Sequence, residues 1–165
     1  MNEATETLLH EAVERLQAAI RSRDCPAVVA LHGQRTLLLS DYDYLRDAAT
    51  AHAFEHRAAE KAREIKATRW VIVVPQVWLA TDTGISARAV SNLPLRDGEN
   101  EVISWTAFDA DDGVDYGFVP YTRRPNGSPV FDEPKIFTEP VHPHAQMPGI
   151  TLLRGLNDGT DPTAD

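Results

Sequence analysis

Hydrophobic residues near the start of the chain recur every three or four positions: Leu8, Leu9, Ala12, Val13, Leu16, Ala19 and Ile20. This spacing stacks them on one face of a helix running from about Thr5 to Arg21. A second helical stretch, from about Tyr44 to Lys66, is rich in Ala, Glu, Lys and Arg and free of Gly and Pro, a composition that favours helix. On a helical wheel Ala51, Phe54, Ala58, Ala62 and Ile65 make its apolar face, with His52, His56 and Arg63 nearly opposite. Between the two, "DCPAVVALHG" has Asp24 and Pro26 where a helix starts and Gly33 where one stops. "AVVAL" and "RTLLLS" also fit the two strands of a hairpin; a short helix followed by a strand is the preferred reading.

Beyond Lys66 the period falls to two. "RWVIVV", "QVWLAT", "ISARAVSN", "EVISWTAF" and "DYGFVPYTR" are β-branched and aromatic runs separated by the turn formers "DTG", "LRDG" and "DADDG", the pattern of an antiparallel meander. Pro75 has no N–H for a ladder, so the first run is bulged, broken or at an edge there. The turn "PNG" at 125–127 joins "GFVPYTRR" to "SPVFDEPKIF", and Pro129 and Pro134 place that last run at an edge. "EPVHPHAQMPG" is too rich in proline for helix or inner strand, while "ITLLRGL" is expected to dock on the core. The fold class is therefore α+β: an N-terminal helical layer, two longer helices plus a short one, packed on one antiparallel sheet that is free to curve strongly. A single domain is expected over 1–156, with a disordered acidic tail at 157–165.

Charge changes the picture of partners. The 165 residues carry 25 Asp and Glu against 16 Lys and Arg, a formal charge of -9, which repels nucleic-acid phosphates and anionic lipid. No nucleic acid and no membrane are expected as partners, since the apolar run "WVIVVPQVWLA" falls short of the ~20 residues that span a bilayer. The excess acid is uneven: 9 basic and 11 acidic residues lie before position 67, and 7 basic and 14 acidic after it. One cysteine, Cys25, forbids an internal disulfide, and the N-terminus lacks the pattern of a secretion signal. A cytoplasmic setting is the expectation, with no cofactor required.

Candidate chemistry centres on a few stretches. "HAFEH" gives His52, Glu55 and His56 the H-x-x-E-H spacing by which one class of zinc peptidases binds metal and activates water. Such sites need a third ligand from a downstream helix, which this pattern does not supply, so the stretch is read as solvated helix surface. His142 and His144 in "HPH" are read as a surface loop, though an extended backbone would aim both rings to one side. "DADDGVD" at 109–115 departs from a calcium loop, which needs glycine sixth and glutamate twelfth where Gly113 is fifth and Pro120 twelfth; it reads as a hairpin turn. Cys25 reads as a buried inert thiol. Arg123 and Arg124 form the tight basic pair of the acidic half, a candidate anion or partner contact on a hairpin tip. Asp41, Tyr42 and Asp43 precede the long helix, where Asp41 or Asp43 serves as its cap. The same three residues are the candidates for proton transfer at the mouth of an apolar pocket.

The stretch "AAIRSRDCPAVVAL" resembles the first two helices of ketosteroid-isomerase-like cone folds over its fourteen residues. It covers no catalytic position of that family, and the long helix, Pro75 and the extension past Tyr121 depart from the pattern, so no site is carried over. Three functions are consistent with these residues. The first is a non-catalytic interaction or regulatory protein acting on a protein partner through the sheet surface and the proline-rich segment. The second is a cavity protein that binds or isomerises a small apolar molecule with Asp41, Tyr42 or Asp43. The third is a zinc hydrolase using His52, Glu55 and His56.

Overall fold

The computed structural model describes residues 1–91, 93–138, 141 and 147–158. The fold is the expected α+β class, with a strongly curled, half-barrel antiparallel sheet. Helix α1 spans Glu3–Arg21 and α2 spans Ala48–Glu64. The strands are β1 Ala27–His32, β2 Thr36–Asp41, β3 Arg69–Thr81, β4 Gly84–Ala89, β5 Glu99–Asp109, β6 Gly113–Arg123, β7 Pro129–Phe131 and β8 Lys135–Ile136, and a helix α3 spans Ile150–Asp158. The sheet runs β2-β1-β3-β5-β6-β7, with β4 paired to β3 and β8 paired to β6. Among the described residues no helix is long and apolar enough to cross a membrane.

Helix α1 begins two residues earlier than its apolar spacing indicates, because the Asn2 side chain accepts the Thr5 N–H at 2.9 Å and Glu3 and Glu6 favour the positive end of the helix dipole. Its buried Leu8, Leu9, Ala12, Val13, Leu16 and Ile20 are the face read from the sequence. Helix α2 starts four residues later than expected. Its cap is Asp47, which accepts the Thr50 N–H at 2.7 Å, and neither Asp41 nor Asp43 serves.

The expected short helix at 26–33 is strand β1. Every residue from Ala27 to Leu31 is fully buried, with Val28 and Ala30 packed under α1 and Ala27, Val29 and Leu31 packed under α2. A strand covered on both faces needs no polar alternation, so its sequence carries no period to tell it from a helix. The resemblance to the cone fold rested on a second helix here and fails with it. The turn after β1 shows why Gly33 is glycine: a Cβ there would overlap the carbonyls of Ile65 and Lys66 at the end of α2, where Gln34 N–H also donates to Ile65 O at 2.7 Å.

The two long helices do not share a layer. Helix α1 covers one face of the sheet over Val71, Val73, Ile103, Trp105 and Val119; α2 and α3 cover the other over Trp70, Ile72 and Val74. The predicted docking of "ITLLRGL" is found in α3, whose Leu152 is fully buried. That helix runs through Asp158, two residues into the expected tail; 159–165 lie outside the described residues.

Strand β3 unites the two expected runs on either side of Pro75. Along one edge it pairs with β5 without interruption from Arg69 to Leu79. Along the other it pairs with β1 as far as Val73 and with β4 from Gln76. Among the described residues Val74 and Pro75 thus have a strand neighbour on one side only, which is where a residue without an N–H fits. The predicted turns close the hairpins: Asp82 to Gly84 between β3 and β4, Asp109 to Gly113 between β5 and β6, and "PNG" between β6 and β7, with Gly113 and Gly127 at φ 83° and 87°.

Candidate functional site

Thirteen residues of β3 extend about 43 Å at strand rise, whereas the 17 residues of α2 reach about 26 Å. The sheet therefore outruns its helices. Past Pro75 the face that α2 covers nearer β1 carries Gln76, Trp78, Val102, Phe118 and Pro120, and Phe137 comes over it from beyond β8. Trp78, Phe118 and Phe137 form a cluster with ring centroids 5.2, 5.4 and 5.8 Å apart, the Trp78 and Phe137 planes within 16° of parallel. All three rings are half-buried. The Trp78 indole N–H donates to Gln76 Oε1 at 2.9 Å, which fixes the ring and leaves its surface available.

These rings wall a groove of about 570 Å³ floored by Val102 and Pro120 and rimmed by Ile85 and Val130. The rim side chains are 51% and 41% exposed. Ile85 comes from β4, which pairs with β3 alone, and Val130 from β7, which pairs with β6 alone. Both rims are thus strand edges whose outer sides have no sheet partner among the described residues, and an extended chain laid in the groove would find backbone donors and acceptors beside an apolar floor.

On the opposite face, two glutamates of β5 are gripped by arginines, one from the neighbouring strand β6 and one reaching across β3 from β4. Arg88 of β4 binds Glu99 through Nε at 2.7 Å and Nη2 at 3.1 Å. Arg123 of β6 binds Glu101 through Nε at 2.8 Å and Nη2 at 3.1 Å. The Arg88 bonds, joined by the Arg96 N–H, bring the Glu99 pKa down to about 2. Such forked pairs lock strand register. Arg123, a predicted anion contact, is thereby committed to Glu101 and to Gly127 O at 2.9 Å, while Arg124 is exposed beside it.

The remaining predicted residues are dispersed. His52 and His56 are exposed on α2, their rings stacked at 6.4 Å; His52 Nδ1 lies 3.2 Å from Thr151 Oγ1 and His56 Nε2 lies 3.5 Å from Glu60. Glu55 turns the other way, into the core, where it accepts the Tyr44 hydroxyl at 2.6 Å and the Leu152 N–H at 3.1 Å. The solvated-surface reading thus holds for the two histidines and fails for Glu55, which is 3% exposed. Its partners come from the loop before α2 and from the first turn of α3, outside the helix's own pattern. No group of three or more His, Cys, Asp or Glu converges on a metal position among the described residues. His142 and His144 lie outside the described residues.

Asp41, Tyr42 and Asp43 form a surface turn: the Asp43 N–H donates to Asp41 Oδ1 at 2.9 Å, Asp41 Oδ2 lies 3.5 Å from Arg57, and Tyr42 is 65% exposed. The aromatic groove does not reach them. Asp109, which opens "DADDG", is instead a buried hub. It accepts the Asp111 and Asp112 N–H groups at 2.9 and 3.2 Å, Arg69 Nε at 3.1 Å and the Thr5 hydroxyl at 3.2 Å.

Sequence reasoning passed over Trp78, Phe118 and Phe137. Their signal was one of length: an apolar two-sided run continuing past the reach of the helices. Comparison of the chain with known protein families, curated proteins and solved structures returned no match.

Proposed function

We propose that this chain is a non-catalytic interaction protein that receives an extended, apolar segment of a partner protein in the aromatic groove. The observation that carries the reading is the half-buried cluster of Trp78, Phe118 and Phe137 between two strand edges without sheet partners among the described residues. Aromatic side chains that keep an open face supply most of the binding energy at such sites, and an exposed strand edge supplies the backbone bonds. Charge narrows the partner. Asp132 lines the groove, Asp82 and Glu133 are exposed next to its rims, and the chain carries -9. Basic residues flanking the apolar segment match this field. Glu101 at the groove's margin is engaged by Arg123.

The test is selection of random peptides on the immobilised protein, followed by titration of the winners against wild type, Trp78→Ala and Ile85→Asp. Alternating apolar peptides with lysine or arginine at their ends should emerge, and either substitution should weaken them at least about tenfold. Winners that bind both variants as well as wild type would overturn the assignment. Binding of small apolar dyes without any peptide would favour a cavity protein instead.

A further inference from the structure

A second cleft, of about 550 Å³, opens on the opposite face beneath the β4–β5 connection. Its inner wall contains Tyr121, which is 4% exposed and whose hydroxyl has no hydrogen-bond partner among the described residues. A buried phenol ordinarily finds a partner, because a hydroxyl stripped of water and left unpaired is costly. Arg23, Arg88 and Arg123 bring three guanidinium groups to the same cleft of an acidic chain. Glu99 and Glu101 each occupy one of them, and Asp24 is exposed beside Cys25. Arg23, exposed and in the left-handed region at φ 66°, has no ion pair among the described residues. The outer wall is apolar, with Leu93 and Leu95 69% and 47% exposed and Val77 behind them. Cys25, half-buried, lines the cleft as well.

We propose that this cleft binds a small amphipathic carboxylate, its head accepting the Tyr121 O–H and facing the Arg23 guanidinium, its apolar body against Val77, Leu93 and Leu95. A cationic head would meet three guanidinium groups, and a neutral one would leave Arg23 without a counter-charge. An unpaired donor in the wall, a free cation at the mouth and an apolar lid form the polar-anchor, apolar-body arrangement of a small-molecule site. The cleft adjoins the groove assigned to a partner peptide through Tyr121 and Glu101, but Trp78, Phe118 and Phe137 line only the groove and Arg23, Cys25 and Leu93 line only the cleft, so Trp78→Ala tests the first assignment and Arg23→Gln the second.

The lone thiol reports occupancy. Alkylation of Cys25 by neutral iodoacetamide, followed by mass spectrometry, is compared with octanoate, octanol or octylamine present below their aggregation limits, with free cysteine as the control reaction. Octanoate should slow the reaction several-fold and raise the melting temperature, while octylamine does neither and octanol falls well short of octanoate. Tyr121→Phe removes a hydroxyl that has no hydrogen-bond partner among the described residues, so it should melt no lower than wild type and yet lose the protection; Arg23→Gln should weaken it. Equal protection by all three head groups, protection that survives Tyr121→Phe, or no protection by octanoate would each overturn the proposal.

Discussion

Tyr44 donates its hydroxyl hydrogen to Glu55 at 2.6 Å inside the core, and the other oxygen of the same carboxylate accepts the Leu152 N–H at 3.1 Å. One buried acid thereby joins the loop before α2 to the first turn of α3, where the backbone N–H groups of a helix have no partners of their own. Burial raises the Glu55 pKa, opposed by the Tyr44 hydroxyl and the α3 N–H groups.

Glu55→Ala should destabilise the protein by about 2–4 kcal/mol, since it strands the Tyr44 hydroxyl and the N–H groups of α3 in the core. Chemical denaturation measures this, and a loss under about 0.5 kcal/mol would refute the capping role. The pH response has a definite sign. A carboxyl whose folded pKa lies above its unfolded value holds more protons when folded, so its contribution to stability is complete below the ordinary carboxylate range and declines as pH rises through the raised value. Glu55→Gln should therefore remove a fall in melting temperature on the alkaline side of that range.

Asp109 has the opposite sign. Burial alone would raise its pKa, but the N–H groups of Asp111 and Asp112 and the Arg69 guanidinium outweigh it and hold the carboxyl well below the usual range. Its contribution is complete above the unfolded value and is lost as pH falls toward the folded one. Asp109→Asn should cost about 1–3 kcal/mol at neutral pH. The gap from wild type should close in acid, as paired melting curves across the acid range would show; a gap independent of pH would contradict this account.

Gly117 faces Trp105 across the β5–β6 ladder, and a Cβ there would overlap the Trp105 ring and the Lys135 carbonyl of β8. Gly117→Ala should lower stability by about 1–3 kcal/mol through overpacking. Because β8 leads directly to Phe137, the same change should weaken peptides in the aromatic groove. Near-ultraviolet circular dichroism, which reports tryptophan packing, should change with it; a native spectrum at native stability would show that the strand yields freely.

His52→Ala and His56→Ala should each melt within a few degrees of wild type, because both rings are exposed. Added zinc should protect neither the wild-type protein nor the variants at equimolar concentration, a result read by thermal melting. A stoichiometric zinc-dependent rise lost in either variant would restore the metal reading of the H-x-x-E-H spacing.

Where the sequence was legible, one local pattern decided the outcome. The 3,4 spacing from Leu8 to Ile20 fixed the α1 face, and "DTG", "DADDG" and "PNG" located three hairpins. Strand β1 was illegible because burial on both faces erases alternation. Glu55 looked like part of a solvated helix because its partner in α3 stands 97 positions away. Tyr121 and Arg23 are far apart in the chain, and nothing local marks a hydroxyl that finds no hydrogen-bond partner among the described residues.

The Glu55 contact also sets an order of events during synthesis. Residue 55 leaves the ribosome long before residue 152, so the nascent chain carries an acid meant for the core before its backbone donors exist. The half that holds α1, β1 and α2 has no complete cover for its second face until Leu152 arrives. Protection of this face in a growing chain should therefore come as one late step rather than by degrees, with the sheet waiting on a short helix whose Leu152 follows Glu55 by 97 positions.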